Sequence, residues 1–286
     1  MKFRRSELFF SAYFLYVMGI AAVRPIAADV KGLIFTLNPA VILWFGLFAW
    51  AHKDRGFTTL DRVRDWYPVP LILLAFREMG WMALPHTSRA FENYWVLLDR
   101  RLLNDWGLKA VIESLGPVLP NLLELSYLLV YVMPIVTVAV FYIYGARDRL
   151  DDAYSILLFG TLTAYAMYPF FPSEPPRTVF PLDDLPMLSA LRRLNLFFVG
   201  SYGIHTSVFP SGHSAAAFSA AFAVMKLVPE RPWLGRGFLV LAVLIGFASI
   251  YGRYHFAIDA VAGLVLAGLA VGLSSLWRRQ SNPRLR

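Results

Sequence analysis

Two of the five histidines stand in settings suited to chemistry on a phosphate. His213 closes Pro210-Ser211-Gly212-His213 just ahead of an apolar stretch. At such a helix start the backbone N–H groups lack intrahelical partners and the helix dipole favours an anion. Gly212 lets a phosphate approach the backbone, Pro210 sets the turn, and Ser211 adds a hydroxyl donor. His255 lies in Arg253-Tyr254-His255-Phe256-Ala257-Ile258-Asp259. Residues four apart share a helix face. Asp259 can therefore accept a hydrogen bond from one ring nitrogen, hold the tautomer, and leave the other nitrogen free to attack. A His and Asp pair at this spacing can also do no more than cap a helix. The third segment, Pro172-Ser173-Glu174-Pro175-Pro176-Arg177, is stiffened by proline and ends on a permanently charged fork that matches phosphate oxygens. Alone it would read as a turn after a helix. Together the three segments supply two histidines, an aspartate, two arginines and a helix N-terminus.

Residues so far apart meet only if the elements that carry them pack together, and the composition names the solvent. Of 286 residues, 58% are hydrophobic and 16% charged, against roughly 25% charged in a water-soluble domain. Much of the surface therefore meets lipid. A bilayer core needs roughly 20 apolar helical residues to cross it, and stretches near 6–23, 32–51, 67–84, 122–144, 153–171, 211–228, 237–252 and 256–277 qualify. The expected fold is all-α, a polytopic membrane protein of about eight transmembrane helices. The last six form the catalytic bundle over residues 66–286, and two additional helices occupy 1–65. The first stretch is longer than the roughly 7–15 residues of a signal-peptide core, so a retained helix is expected. Arg77 and Glu78 fall near the middle of the third stretch, where they need partners on neighbouring helices or a water-filled cleft, and an ion pair buried between helices is the expectation.

Lys and Arg crowd the short segments around Arg4, Lys53, Arg147, Arg231 and Arg279 and are sparse in the long segments 85–121 and 172–210. The first group is therefore expected on the cytoplasmic side with both termini, and the three motifs on the outer, periplasmic or lumenal, face. The net charge of +8 is explained by this bias, and no nucleic-acid partner is expected. In the segment near 91–115, Phe91, Trp95, Leu98, Leu102 and Trp106 recur at helical spacing, which predicts an amphipathic helix in the headgroup layer or packed on the bundle's end. The chain has no cysteine, which removes thiolate catalysis and disulfides. His205 is expected to cap backbone groups, and His52 and His86 to lie at the interface. Asp183 and Asp184 read as a solvated turn rather than a metal site, so neither metal nor cofactor is expected.

These motifs resemble the type 2 phosphatidic acid phosphatase (PAP2) superfamily, which also includes glucose-6-phosphatase and the vanadium haloperoxidases, over about residues 120–277. The resemblance implies a membrane lipid phosphatase or phosphotransferase that needs no metal. It implies His255 as the nucleophile that forms a phosphohistidine, Asp259 as its orienting group, and His213 as the acid that protonates the leaving alcohol. Arg177, Arg253, Ser211 and the amide of Gly212 would hold the phosphoryl oxygens. The chain departs from the family pattern where Phe170 stands for a lysine, Thr178 for a proline and Ser249 for an arginine. Pro-Pro-Arg at 175–177, Arg-Tyr-His at 253–255 and Arg-Asp-Trp at 64–66 look more like the branch of inositol phosphorylceramide synthases. That raises transfer to an alcohol such as inositol beside hydrolysis. A lipid phosphate and the surrounding membrane lipids are the expected partners. The rival reading is a non-catalytic membrane protein or lipid transporter of the same fold.

Overall fold

Prolines and glycines cut this apolar chain into the segments that become helices. The computed structural model describes residues 3–51, 59–84 and 88–281, and every regular element among them is helical. His52 and His86 lie outside the described residues. In order, the helices are α1 (Arg5–Val23), α2 (Ala28–Ala51), α3 (Thr59–Trp66), α4 (Pro68–Met82), α5 (Ala90–Arg100), α6 (Leu108–Ser114) and α7 (Val118–Leu129). There follow α8 (Met133–Ile143), α9 (Leu150–Met167), α10 (Pro176–Val179), α11 (Ala190–Tyr202), α12 (Gly212–Leu227), α13 (Pro232–Tyr251) and α14 (Ala257–Ser281). Pro68 and Pro232 open α4 and α13 at the first helical position, where a missing N–H leaves no bond unmade. Pro134 cannot donate to the carbonyl four residues back, and a tight turn at Val130–Val132 carries α7 into α8.

All eight apolar stretches are helical. Five described helices are long and apolar enough to cross a membrane: α1, α2, the α7–α8 unit, α13 and α14. The other three, α4, α9 and α12, are shorter or more polar and pack among them. At the centre is α12, whose Ala- and Ser-rich sequence lets backbones approach closely. It lies against α9, α13 and α14, and most of its side chains are buried.

Two expectations change. Among the described residues neither Arg77 nor Glu78 enters an ion pair buried between helices, and the two, about 100° apart on α4, meet different surroundings. Arg77 is exposed, with its guanidinium 5.8 Å from the Trp81 ring, while the buried Glu78 accepts from Asn38 Nδ2 at 3.2 Å. The apolar stripe of the 91–115 segment is also broken. A π-turn at Arg101–Asp105 shifts the register, leaving Trp106 76% exposed, and the buried stripe is Glu92, Trp95, Asp99 and Leu103. This stripe packs α5 against α10 and α14 at the end of the bundle.

A clasp of charges joins α1 to the rest of the fold. Glu7 takes Arg64 at 2.8 Å and the Tyr67 hydroxyl at 2.7 Å, wholly inside the protein. Asp65 accepts from Arg4 at 2.7 Å, Arg147 at 2.6 Å and the Tyr142 hydroxyl at 2.5 Å. Asp151, in the first turn of α9, accepts the Arg5 and Ser6 N–H groups that open α1. The Arg64-Asp65-Trp66 motif thus belongs to the end of the fold where α9 begins. The Pro-rich loop follows the other end of α9, about 27 Å away. Asp65→Ala removes a counter-charge from Arg147 and from Arg4, which keeps Asp61 at 3.2 Å. Those arginines keep some contact with water, so the expected loss of stability is about 2 kcal/mol, below the roughly 3–5 kcal/mol of a wholly buried pair. SDS titration of the purified protein measures it.

Candidate functional site

The N-termini of α12 and α14 meet, because Ser211 N–H donates to the Asp259 carbonyl at 3.0 Å. That contact puts His213 beside His255, with His255 Nε2 3.3 Å from His213 Nδ1. On the other side of its ring, His255 Nδ1 is 3.0 Å from the Val208 carbonyl and 3.4 Å from Asp259 Oδ2. Both neighbours of Nδ1 are acceptors, so the proton belongs on Nδ1 and Nε2 carries the bare lone pair. The shorter bond is to Val208, and Asp259 also accepts the Phe256 N–H at 2.9 Å as a cap on α14. Asp259 therefore caps the helix and flanks the ring at once. Ser211 is the N-cap of α12, its Oγ accepting the Ser214 N–H at 3.2 Å. Gly212 is required by packing: a Cβ there would lie 2.6 Å from the Tyr165 ring and 2.8 Å from the Tyr168 hydroxyl. Tyr127 stacks on His213 with centroids 5.0 Å apart, and Tyr131 meets it edge-on at 5.6 Å.

The two arginines part company. Arg177 is tied to the histidine loop by its own N–H, which donates to the Arg253 carbonyl at 2.9 Å. Its Nη2 donates to His205 Nδ1 at 3.3 Å, which leaves His205 Nε2–H for the Gly200 carbonyl at 3.3 Å. His205 thus caps a carbonyl, as expected, and also orients Arg177. Arg253 instead directs its guanidinium onto the Phe180 ring, 3.7 Å from the centroid, with Asp99 Oδ2 at 3.7 Å and Asn104 Oδ1 at 3.5 Å. Burial, followed by the Arg177 charge, pushes the His255 pKa down to about 3, so the ring is neutral near pH 7. Asp184 accepts from Asn104 at 3.1 Å, and Asp183 is exposed beside it.

Sequence reasoning missed the contribution of α5. Glu92 accepts the Glu174 N–H of the Pro-rich loop at 2.8 Å, and Asp99 accepts the Ala257 N–H at 3.0 Å, next to His255. Between them Trp95 packs on Phe209 and Phe256, at 5.4 and 5.5 Å. Burial raises the Asp99 pKa to about 7, opposed by the Ala257 N–H and Arg253. The available signal was two acids seven residues apart, on the stripe of a tryptophan.

Fold and site define an integral membrane protein whose paired helix N-termini present two histidines beside a buried aspartate. The PAP2 superfamily profile matches residues 93–273, more than half of the chain, and the protein belongs to that superfamily. A PA-phosphatase related-family protein of Dictyostelium discoideum is 35% identical over 65 residues, a stretch that is 23% of this chain and 10% of that protein's length. No solved structure matches the chain.

The two shifted groups act on stability with opposite signs. An unfolded histidine takes a proton below about pH 6.5, whereas His255 in the fold does so only near 3, so its contribution to stability is lost as pH falls through that window. Asp99 keeps its proton to about pH 7, against an ordinary 3.8, so its contribution is lost as pH rises from about 3.8 to 7. His255→Gln is expected to flatten the acid side of the stability profile and Asp99→Asn the side approaching neutrality. Denaturation midpoints across pH 3 to about 8 check both signs.

Proposed function

We propose that this protein cleaves a lipid phosphate ester through a phosphohistidine on His255, as a membrane phosphatase or phosphotransferase. The observation that carries this reading is the His255 ring, with Nδ1 against Val208 and Asp259 and a bare Nε2 facing His213. In the first half-reaction Nε2 attacks phosphorus, the N–P bond forms as the P–O bond to the alcohol breaks, and His213 gives the departing oxygen its proton. In the second, His213 takes a proton from water or an acceptor alcohol, whose oxygen displaces His255 from phosphorus. An attacking nitrogen stands about 3–3.5 Å from phosphorus in a reactive complex, with the leaving oxygen beyond it. Substrate must therefore part the two rings from their 3.3 Å contact. Arg177, the Gly212 amide and Ser211 would hold the phosphoryl oxygens from the α12 N-terminus. Arg253 joins them only by turning away from Phe180 and Asp99. Superfamily membership and the phosphatase in the relative's name support this chemistry, which calls for no metal or cofactor.

Purified protein is expected to release inorganic phosphate from at least one of phosphatidate, a polyprenyl pyrophosphate or a phosphoinositide-like lipid, with EDTA present. Added inositol or glycerol would divert the phosphoryl group if the enzyme is a transferase. Vanadate is expected to inhibit competitively. His255→Ala abolishes turnover in a folded protein, and retained activity above a few per cent sinks the mechanism. Asp259→Asn loses on the order of 10²-fold or more in kcat, and the Val208 carbonyl keeps it from losing the tautomer altogether. A folded wild type inactive on every substrate would favour a transporter or non-catalytic role.

The charge bias puts the histidine end outside and the termini in the cytoplasm. Asp183 is exposed in the loop before α11. In this cysteine-free chain, Asp183→Cys is expected to react with an impermeant thiol reagent in intact cells. Labelling only after permeabilisation inverts the orientation.

A further inference from the structure

The turn that carries His255 is strained. Arg253 has a φ of 58°, which no other described residue except glycine shares on the positive side, and such a conformation persists only where the surroundings hold it. Gly252 belongs to the same constraint, since a Cβ there would lie 2.3 Å from the Tyr254 ring folded over it. What holds the turn is a buried polar group on α7 and α11. Arg192 Nη1 donates to the Gly252 carbonyl at 3.0 Å and to Glu124 Oε1 at 2.9 Å. The Tyr254 hydroxyl donates to Glu124 Oε2 at 2.6 Å, and Asn195 Nδ2 donates to the same oxygen at 2.7 Å and to the Glu124 carbonyl at 2.8 Å. Glu124, Arg192 and Asn195 are all buried.

The same group reaches the other histidine. Tyr254 stacks on Tyr127 with centroids 4.1 Å apart, and the far face of this stack continues to His213 at 5.0 Å from Tyr127. One carboxylate therefore fixes the residue preceding His255 through a hydrogen bond, and His213 through two rings. We infer that Glu124 and Arg192 are positioning residues that set the spacing of His213 and His255 by clamping the Gly252–Tyr254 turn, a role that rests on the functional reading above. Neither side chain needs to touch substrate. Glu124 acts on the turn through the Tyr254 hydroxyl and Arg192 through the Gly252 carbonyl, and the Tyr254 bond is the one that can be removed without stranding a charge.

Truncating Glu124 would strand the Arg192 charge and unfold the protein, so the test removes the link instead. Tyr254→Phe keeps the ring stack and deletes the hydroxyl. The control is Tyr251→Phe, which deletes a comparable bond from the same stretch, Tyr251 hydroxyl to Glu113 Oε1 at 3.2 Å, outside the clamp. A displacement of about 1 Å costs on the order of 10²-fold in rate, so Tyr254→Phe is expected to lose roughly 10- to 100-fold in kcat with KM nearly unchanged. Tyr251→Phe should keep wild-type kcat. Carbethoxylation of His255 by diethyl pyrocarbonate, followed by mass spectrometry, needs no turnover and should run several-fold faster in Tyr254→Phe than in wild type or the control. Equal His255 labelling in all three proteins overturns the clamp whether or not the enzyme is active. So does an equal kcat in Tyr254→Phe and the control. A wild type that releases no phosphate, yet shows the labelling difference, overturns the functional reading and leaves the clamp standing.

Discussion

The hydrogen bond from Ser211 N–H to the Asp259 carbonyl holds two helix N-termini against each other, and the geometry of the candidate site depends on it. Helix starts repel through their like partial charges unless something negative lies between them. Here the Asp259 carbonyl and carboxylate, with the Asp99 carboxylate from α5, fill that place. Asp259 caps the Phe256 N–H, Asp99 caps the Ala257 N–H, and Ser211 caps its own helix. His213 stands in the first turn of α12, among that helix's residual N–H donors. An anion entering there would meet helix dipoles and the Arg177 charge.

Burial without water governs the rest of the fold. In a lipid-embedded chain a charge survives only when another group neutralises or solvates it. Several of the described interior charges accordingly fall into ionic sets. Glu7 with Arg64, and Asp65 with Arg4 and Arg147, tie α1 to the start of α9. Glu124 with Arg192 ties α7 to α11 at the histidine end. The small-residue face of α12 lets α9, α13 and α14 close around it, and Lys226 near its end donates to Ser274 and Ser275 of α14 at 2.7 Å. Packing thus sets the helix axes, and the ionic sets lock the two ends.

α5 shows how the two kinds of force combine. Its tryptophan supplies apolar contact with Phe209 and Phe256, while the acids on either side spend their lone pairs on backbone N–H groups of two different loops. A helix that reads as a surface amphipath in one dimension becomes the cover over the Pro-rich loop and the start of α14. Arg253 is drawn to that cover by Asp99 and Phe180, and for this reason the second arginine stands apart from the histidine pair.

The all-α class, the helicity of eight apolar stretches and the His-Asp spacing were legible in the chain, because apolar run length and the i, i+4 relation are local properties. The meeting of the three motif segments was legible only as an expectation, since it depends on which helices become neighbours. Several features required the tertiary structure. The Val208 carbonyl, not Asp259 alone, holds His255, and Arg253 turns to Asp99 while Arg177 turns to His205. The acids Glu92, Asp99 and Glu124 reach partners more than sixty residues away. A side chain's local pattern sets its helix face, but its partner is chosen by long-range packing and by the cost of leaving a buried donor unmet. Neither is written in spacing.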